Sequence, residues 1–164
     1  MSETELINLA EKAVKKLSEK SKTLALAESC TGGLVSKLIT DVSGASAVYM
    51  GGVCSYSNSV KTKILGVKEA TLSEHGAVSE QVAVQMAQGV RLALGADIGI
   101  GITGIAGPLS DNTQKPVGLI YVCISDGETA TTRELRNNFT NDIRTNNRLS
   151  AAKTALSLLG DINE

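Results

Sequence analysis

An apolar run, Leu24-Ala25-Leu26-Ala27, breaks off at Glu28-Ser29-Cys30-Thr31-Gly32-Gly33. A helical pattern follows at once, with Leu34, Val35, Leu38 and Ile39 as its apolar positions. A short apolar run of this kind reads as a buried strand, and the spacing after it as one face of a helix. The chain therefore turns sharply from strand to helix through small and polar residues. Such a corner presents a side-chain hydroxyl beside backbone N–H groups that have no partner inside the helix. Two chemistries fit: a nucleophile with an oxyanion site, or a loop that binds an anion. The plainer alternative is that Ser29 or Thr31 caps the helix.

The rest of the chain repeats this alternation. Ser2 and Glu5 make a capping-box pattern, and Leu6, Leu9, Ala10, Ala13, Val14 and Leu17 predict an amphipathic helix over 2–20. Strands are expected at 23–28 and 48–56, the second carrying Gly51-Gly52 as a bulge or close approach. Helices are expected at 31–41, 57–65, 79–94 and 145–159, with a further turn at 71–75. Ile98 to Ile102 alternates Ile with Gly, the mark of a buried strand whose backbone something approaches closely. Residues 117–124 and 131–138 read as a hairpin through Asp126-Gly127. The expected fold class is α/β, a three-layer α/β/α sandwich around a mixed, mostly parallel sheet. We read residues 1–164 as a single domain, long enough to bury a sizeable core. The longest irregular stretch, 104–116, is a candidate functional loop.

Composition narrows the function. A formal net charge of −1 offers no general attraction to nucleic acid or anionic membranes. Three tyrosines, one phenylalanine and no tryptophan leave little for base stacking. Cys30, Cys54 and Cys123 are widely spaced and odd in number, and with His75 as the only histidine they form no zinc pattern. No apolar stretch reaches the ~20 residues that span a bilayer. We expect a cytoplasmic protein with no metal.

A serine nucleophile needs a base. Tyr56 and Lys61 bracket the turn after the second strand, and a right-handed crossover places that strand beside the first. Ser29, Tyr56 and Lys61 would then meet at the carboxyl edge of the sheet, where open α/β sheets bind ligands. Lys61 must be neutral to accept a proton. At an ordinary pKa of ~10.4 only about one lysine in a thousand is neutral at pH 7.4. Dry surroundings or a nearby cation such as Lys63 would lower that value, and Tyr56 would relay the proton or hold the amine. Against this stands the ordinary fate of a lysine on a short polar helix, which is exposure. Cys30 is a rival nucleophile, but its side chain should point away from that of Ser29. Thr103 and Gly104, at the end of the Ile-Gly strand, would face the same edge. Arg144 and Arg148, one helical turn apart, would either grip a phosphate or form a solvated face.

Together these residues carry a resemblance. Ala27-Glu28-Ser29-Cys30-Thr31-Gly32-Gly33, Tyr56-Ser57-Asn58 with Lys61, Leu65-Gly66-Val67 and His75-Gly76-Ala77-Val78-Ser79 resemble motifs of one family. Gly101-Ile102-Thr103-Gly104-Ile105-Ala106-Gly107-Pro108 and Lys115-Pro116-Val117-Gly118 continue the series. The family is the CinA C-terminal domain family, the nicotinamide-nucleotide amidases. The resemblance implies hydrolysis of the carboxamide of nicotinamide mononucleotide to nicotinic acid mononucleotide and ammonia, without metal or organic cofactor, in a homo-oligomer. It implies Ser29 as nucleophile, Lys61 as general base and Tyr56 as their assistant. It also implies substrate contacts from Thr103 and Arg144, a small-molecule nucleotide as the partner, and a place beside them for our further substrate-binding candidates Thr31, Gly32, Gly33, Asn58 and Gly104. Two departures stand out. Where the family has glycines, this chain has Leu109-Ser110-Asp111-Asn112-Thr113-Gln114, and Asn141-Asp142-Ile143-Arg144 carries one extra residue. The first departure motivates two alternatives: a catalytically silent nucleotide-binding relative, or an amidase for another small amide.

Overall fold

The computed structural model describes residues 2–162. Helix α1 (Glu3–Glu19) leads into strand β1 (Leu24–Glu28), helix α2 (Leu34–Thr40), a 3-10 turn at Ala45–Ala47 and strand β2 (Tyr49–Cys54). Helices α3 (Asn58–Leu65), α4 (Glu69–His75) and α5 (Glu80–Leu94) follow, then strands β3 (Ile98–Gly104), β4 (Leu119–Ser125) and β5 (Ala130–Arg136), and last helix α6 (Ile143–Gly160). Ser2 caps α1, its side chain accepting from the Glu5 N–H at 3.2 Å.

The strands lie in the order β2-β1-β3-β4-β5. β1 runs parallel to both β2 and β3, β4 is antiparallel to β3, and β5 is antiparallel to β4. The sheet is mixed, with only β4 reversed, and the expected sandwich is observed. Leu24, Leu26, Ile98, Ile100, Ile102, Ile120 and Val122 point to the face covered by α1, α2 and α6. Ala25 and Ala27 point to the other face, against Leu65, Val67 and the α5 residues Val82, Met86 and Val90.

The Ile-Gly alternation has its explanation here. Isoleucines fill the first face, and the glycines let α5 lie directly on β3. A Cβ on Gly101 would sit 2.3 Å from the Ala83 carbonyl oxygen, and one on Gly99 would sit 2.0 Å from that of Ala87. Gly51 marks the expected bulge: Leu24 pairs with Tyr49 but Ala25 with Gly51, so Met50 is the extra residue.

Element ends differ from the sequence pattern for local reasons. α2 starts at Leu34 rather than 31, because Gly32 and Gly33 adopt positive φ of 57° and 93°. β3 extends to Gly104, because its last residues pair with β4. α6 starts at Ile143, with Asp142 in the left-handed region at φ 44°. Replacing Gly101 with Ala should cost about 1–3 kcal/mol of stability through overpacking, measured as a lower urea midpoint at unchanged m-value. An unchanged midpoint would mean that α5 is free to retreat from β3.

Candidate active site

The site grows out of the ends of β1 and β2. Ser29 directly follows β1, and its N–H donates to the Ile102 carbonyl at 3.0 Å. Beside it the Ser55 N–H donates to the Glu28 carbonyl at 2.9 Å, so the parallel pairing of β1 and β2 runs out at one edge. The chain then enters α3, whose N-cap Ser57 accepts from the Val60 N–H at 3.3 Å. Lys61 follows Asn58 by three residues and so lies one turn into α3, on its inner side.

Lys61 is only 1% exposed. Its Nζ donates to Ser29 Oγ at 3.1 Å, to the Ser55 carbonyl at 2.7 Å and to the Tyr56 carbonyl at 3.4 Å. All three acceptors are uncharged. Burial therefore dominates and lowers the amine to about pKa 8. At pH 7.4 that leaves roughly one lysine in five neutral, against roughly one in a thousand for an ordinary amine. The surface-lysine reading is thereby overturned. So is a role for Lys63, which is exposed: removal from water shifts Lys61, not a second cation.

Tyr56 is 65% exposed, and its hydroxyl accepts from Arg144 Nη2 at 3.1 Å. Its carbonyl, not its ring hydroxyl, reaches Lys61. Cys30 is 6% exposed and packs in the core, where burial pushes its thiol up to about 12. At neutral pH it is a protonated packing residue.

A cavity of about 280 Å³ opens over this pair. Ser29, Tyr56, Asn58, Lys61, Thr103, Gly104 and Arg144 all line it, so seven of the expected site residues come together. The Thr103 hydroxyl donates to the Ala77 carbonyl at 2.7 Å and can only accept from a ligand. Arg144 Nη1 donates to the Gly107 carbonyl at 2.9 Å, which holds the guanidinium across the mouth. Leu109, Ser110 and Asp111, from the loop that departs from the glycine pattern, also line the cavity.

Three expected contacts are not brought there. Thr31, Gly32 and Gly33 are absent from the cavity wall. The Gly32 N–H donates to the Ser29 carbonyl at 3.1 Å, and the Gly33 N–H to Glu28 Oε2 at 3.1 Å. Thr31 is fully buried, and its carbonyl accepts from Arg148 Nη2 at 2.7 Å. The two arginines thus separate: Arg144 faces the cavity and Arg148 braces the corner from behind. Sequence reasoning missed Glu28 as the acceptor for the corner and Ser55 as the amine's shortest partner. A carboxylate ending an apolar run was a signal for the first; a backbone carbonyl leaves none. Among the described residues no group of three or more His, Cys, Asp or Glu could hold a metal ion. None of their helices is long and apolar enough to cross a membrane.

Fold and cavity define an α/β/α domain with a buried hydroxyl–amine pair at the carboxyl edge of its parallel strands. The family model of the CinA C-terminal domain matches residues 6–162, and the chain belongs to that family. It is 49% identical over 143 residues to a CinA-like protein of Syntrophomonas wolfei, covering 87% of this chain and 34% of the relative. It is 47% identical over 146 residues to a CinA-like protein of Thermotoga maritima, covering 87% and 35%. The chain thus spans about a third of the length of these curated relatives. The crystal structure of the competence/damage inducible protein CihA from Agrobacterium tumefaciens matches with TM-score 0.89 and 36% identity, covering 94% of this chain and 93% of that one. A CinA superfamily protein from Klebsiella pneumoniae matches with TM-score 0.89 and 31% identity, covering 95% and 96%.

The lowered Lys61 pKa has a stability signature. Well below pH 8 the amine is protonated in both folded and unfolded chains, so its contribution is constant. Between about 8 and its ordinary value of 10.5 the unfolded chain holds the extra proton, so stability rises with pH. Wild type minus Lys61→Met should show this rise, of order 1–3 kcal/mol, in urea titrations from pH 7 to 10.5. A flat difference would contradict the buried amine.

Proposed function

We propose that this chain is a nicotinamide-nucleotide amidase of the Ser-Lys type, hydrolysing the carboxamide of nicotinamide mononucleotide to nicotinic acid mononucleotide and ammonia. The reading is supported above all by the 3.1 Å contact between Ser29 Oγ and a lysine that burial has made partly neutral. Neutral Lys61 takes the Ser29 proton as Oγ attacks the amide carbon. The Glu28 carboxylate engages the N–H groups of Gly33, Val35 and Ser36. That leaves the N–H of Cys30, the residue after the nucleophile and itself on the cavity wall, as the oxyanion donor of the corner. Protonated Lys61 then gives its proton to the leaving nitrogen, and ammonia departs. Water attacks the acyl-enzyme with Lys61 again as base, and the proton returns to Ser29 Oγ as the acid leaves.

Arg144 uses two of its five N–H donors on the protein and offers the rest to the substrate phosphate. Asn58, Thr103 and Gly104 shape the wall around the ring and sugar. Tyr56 acts through Arg144, holding the phosphate side of the cavity. In this reading the enzyme uses no metal or organic cofactor, works in the cytoplasm and assembles as a homo-oligomer.

A second reading has its own observation. Leu109, Ser110 and Asp111 bring side chains into the cavity, which favours either another small amide or nucleotide binding without turnover. Calorimetric binding of the mononucleotide with no ammonia release would favour the silent relative. Turnover of a different amide in preference to the mononucleotide would favour the other.

The direct test is an ammonia-release assay. Wild type should turn over nicotinamide mononucleotide, with kcat/KM rising through about pH 8 as Lys61 loses its proton. Ser29→Ala should lower kcat by about 10⁴-fold or more, and wild-type-like release by that variant would refute the nucleophile. Arg144→Ala should raise KM for the mononucleotide about 10- to 100-fold, the loss of a charged hydrogen bond. It should leave weak turnover of free nicotinamide unchanged; equal effects on both would remove Arg144 from the phosphate.

A further inference from the structure

Glu28 is a charged side chain that the proposed reaction does not use, and at 1% exposed it is among the most buried in the molecule. No cation pairs with it among the described residues. Its carboxylate is held instead by four donors. Oε2 accepts from the Gly33 and Val35 N–H groups, both at 3.1 Å. Oε1 accepts from the Ser36 N–H at 2.8 Å and from Ser36 Oγ at 2.7 Å. Ser36 Oγ accepts in turn from the Tyr49 hydroxyl of β2 at 2.7 Å.

This arrangement does two things at once. Gly33 stands at the N-cap of α2 and has no side chain to cap with, so Glu28 supplies the acceptor from five residues earlier. The same contact ties the last residue of β1 to the first turn of α2, with Ser29 between them. Ser29 is pinned to β3 on one side by its N–H, and Arg148 holds the Thr31 carbonyl on the other. The turn cannot open without breaking charge-assisted hydrogen bonds in a dry place, where each is strong and costly to lose. With these N–H groups engaged internally, the start of α2 is also closed to the substrate's own anion. That directs the phosphate of the proposed substrate toward Arg144.

We propose that Glu28 is the positioning residue for the nucleophile: its four hydrogen bonds fix the 29–33 turn so that Ser29 Oγ stays within reach of Lys61 Nζ. Its consequence for turnover rests on the amidase reading. Its consequence for Ser29 itself does not, so the two can be tested apart. Glutamine is nearly isosteric but keeps one acceptor oxygen and turns an NH₂ group toward N–H donors. Glu28→Gln should therefore displace the turn rather than merely weaken it.

The experiment measures the rate at which phenylmethanesulfonyl fluoride sulfonylates Ser29 in the full chain, read by peptide mass spectrometry, beside kcat, KM and thermal melting. Glu28→Gln should lower both the labelling rate and kcat for nicotinamide mononucleotide by about a hundredfold. KM should stay within about twofold, and the acid limb should remain near pH 8, since the cover over Lys61 is untouched. Ser36→Ala removes one of the four donors and should lower both rates between about twofold and tenfold; it decides the question if Glu28→Gln does not fold. Wild-type labelling in the folded Gln variant, or in Ser36→Ala should Gln fail to fold, overturns the proposal, whatever happens to the melting temperature. Labelling of Ser29 in wild type without any ammonia release would sink the amidase reading alone, and a wild type that never labels at Ser29 would overturn both.

Discussion

The structure depends on one amine kept out of water without a counter-charge. Lys61 is buried against a serine hydroxyl and two backbone carbonyls, and nothing in that set stabilises an ammonium as a carboxylate would. A charged group in such a place loses hydration that dipoles replace only in part. The amine is therefore partly neutral at ordinary pH, which is what a base for an alcohol requires. A nearby Asp or Glu would tighten the contact and destroy the property.

Everything around the amine follows from the sheet. β1 and β2 are parallel neighbours, so their carboxyl ends deliver Ser29 and the Ser55–Lys61 segment to one edge. β3 lies on the other side of β1 and brings Thr103 and Gly104 to the same edge. The glycines of β3 let α5 close directly onto the sheet, and α5 in turn supports Leu65 at the end of the helix that carries Lys61. Glu28 completes the frame from inside the corner. The residue before the serine thus has its carboxylate satisfied by N–H groups and the Ser36 hydroxyl, while the base across from it is an amine that burial makes partly neutral.

Much of this was legible in the sequence. The apolar run Leu24 to Ala27 and the Ile-Gly alternation of Ile98 to Ile102 mark strands, and the crossover rule puts Ser29, Tyr56 and Lys61 at one edge. What stayed hidden depended on tertiary distance. Nothing local to Lys61 separates a buried lysine from a surface one, because its burial comes from how α3 lies on the sheet. The spacing of Arg144 and Arg148 implied a shared role, yet the helix turns them toward different partners. Thr31 to Gly33 read as donors to a ligand because the sequence could not show that Thr31 is buried, that the Gly32 N–H turns back to the Ser29 carbonyl and that Glu28 takes the Gly33 N–H. The sequence offers Tyr56 as a proton relay or as a holder of the amine, and the structure puts its hydroxyl on Arg144.

Family membership and fold are common to many chains, but the state of a single proton decides whether this one carries a working base. That state can be observed without a substrate. In the folded protein, the ¹³Cε and ¹⁵Nζ shifts of Lys61, assigned with Lys61→Arg, should titrate with a midpoint at about 8. A midpoint near 10.5, the ordinary lysine value, would mean that the amine is solvated and charged, and the account of Ser29 activation would fail.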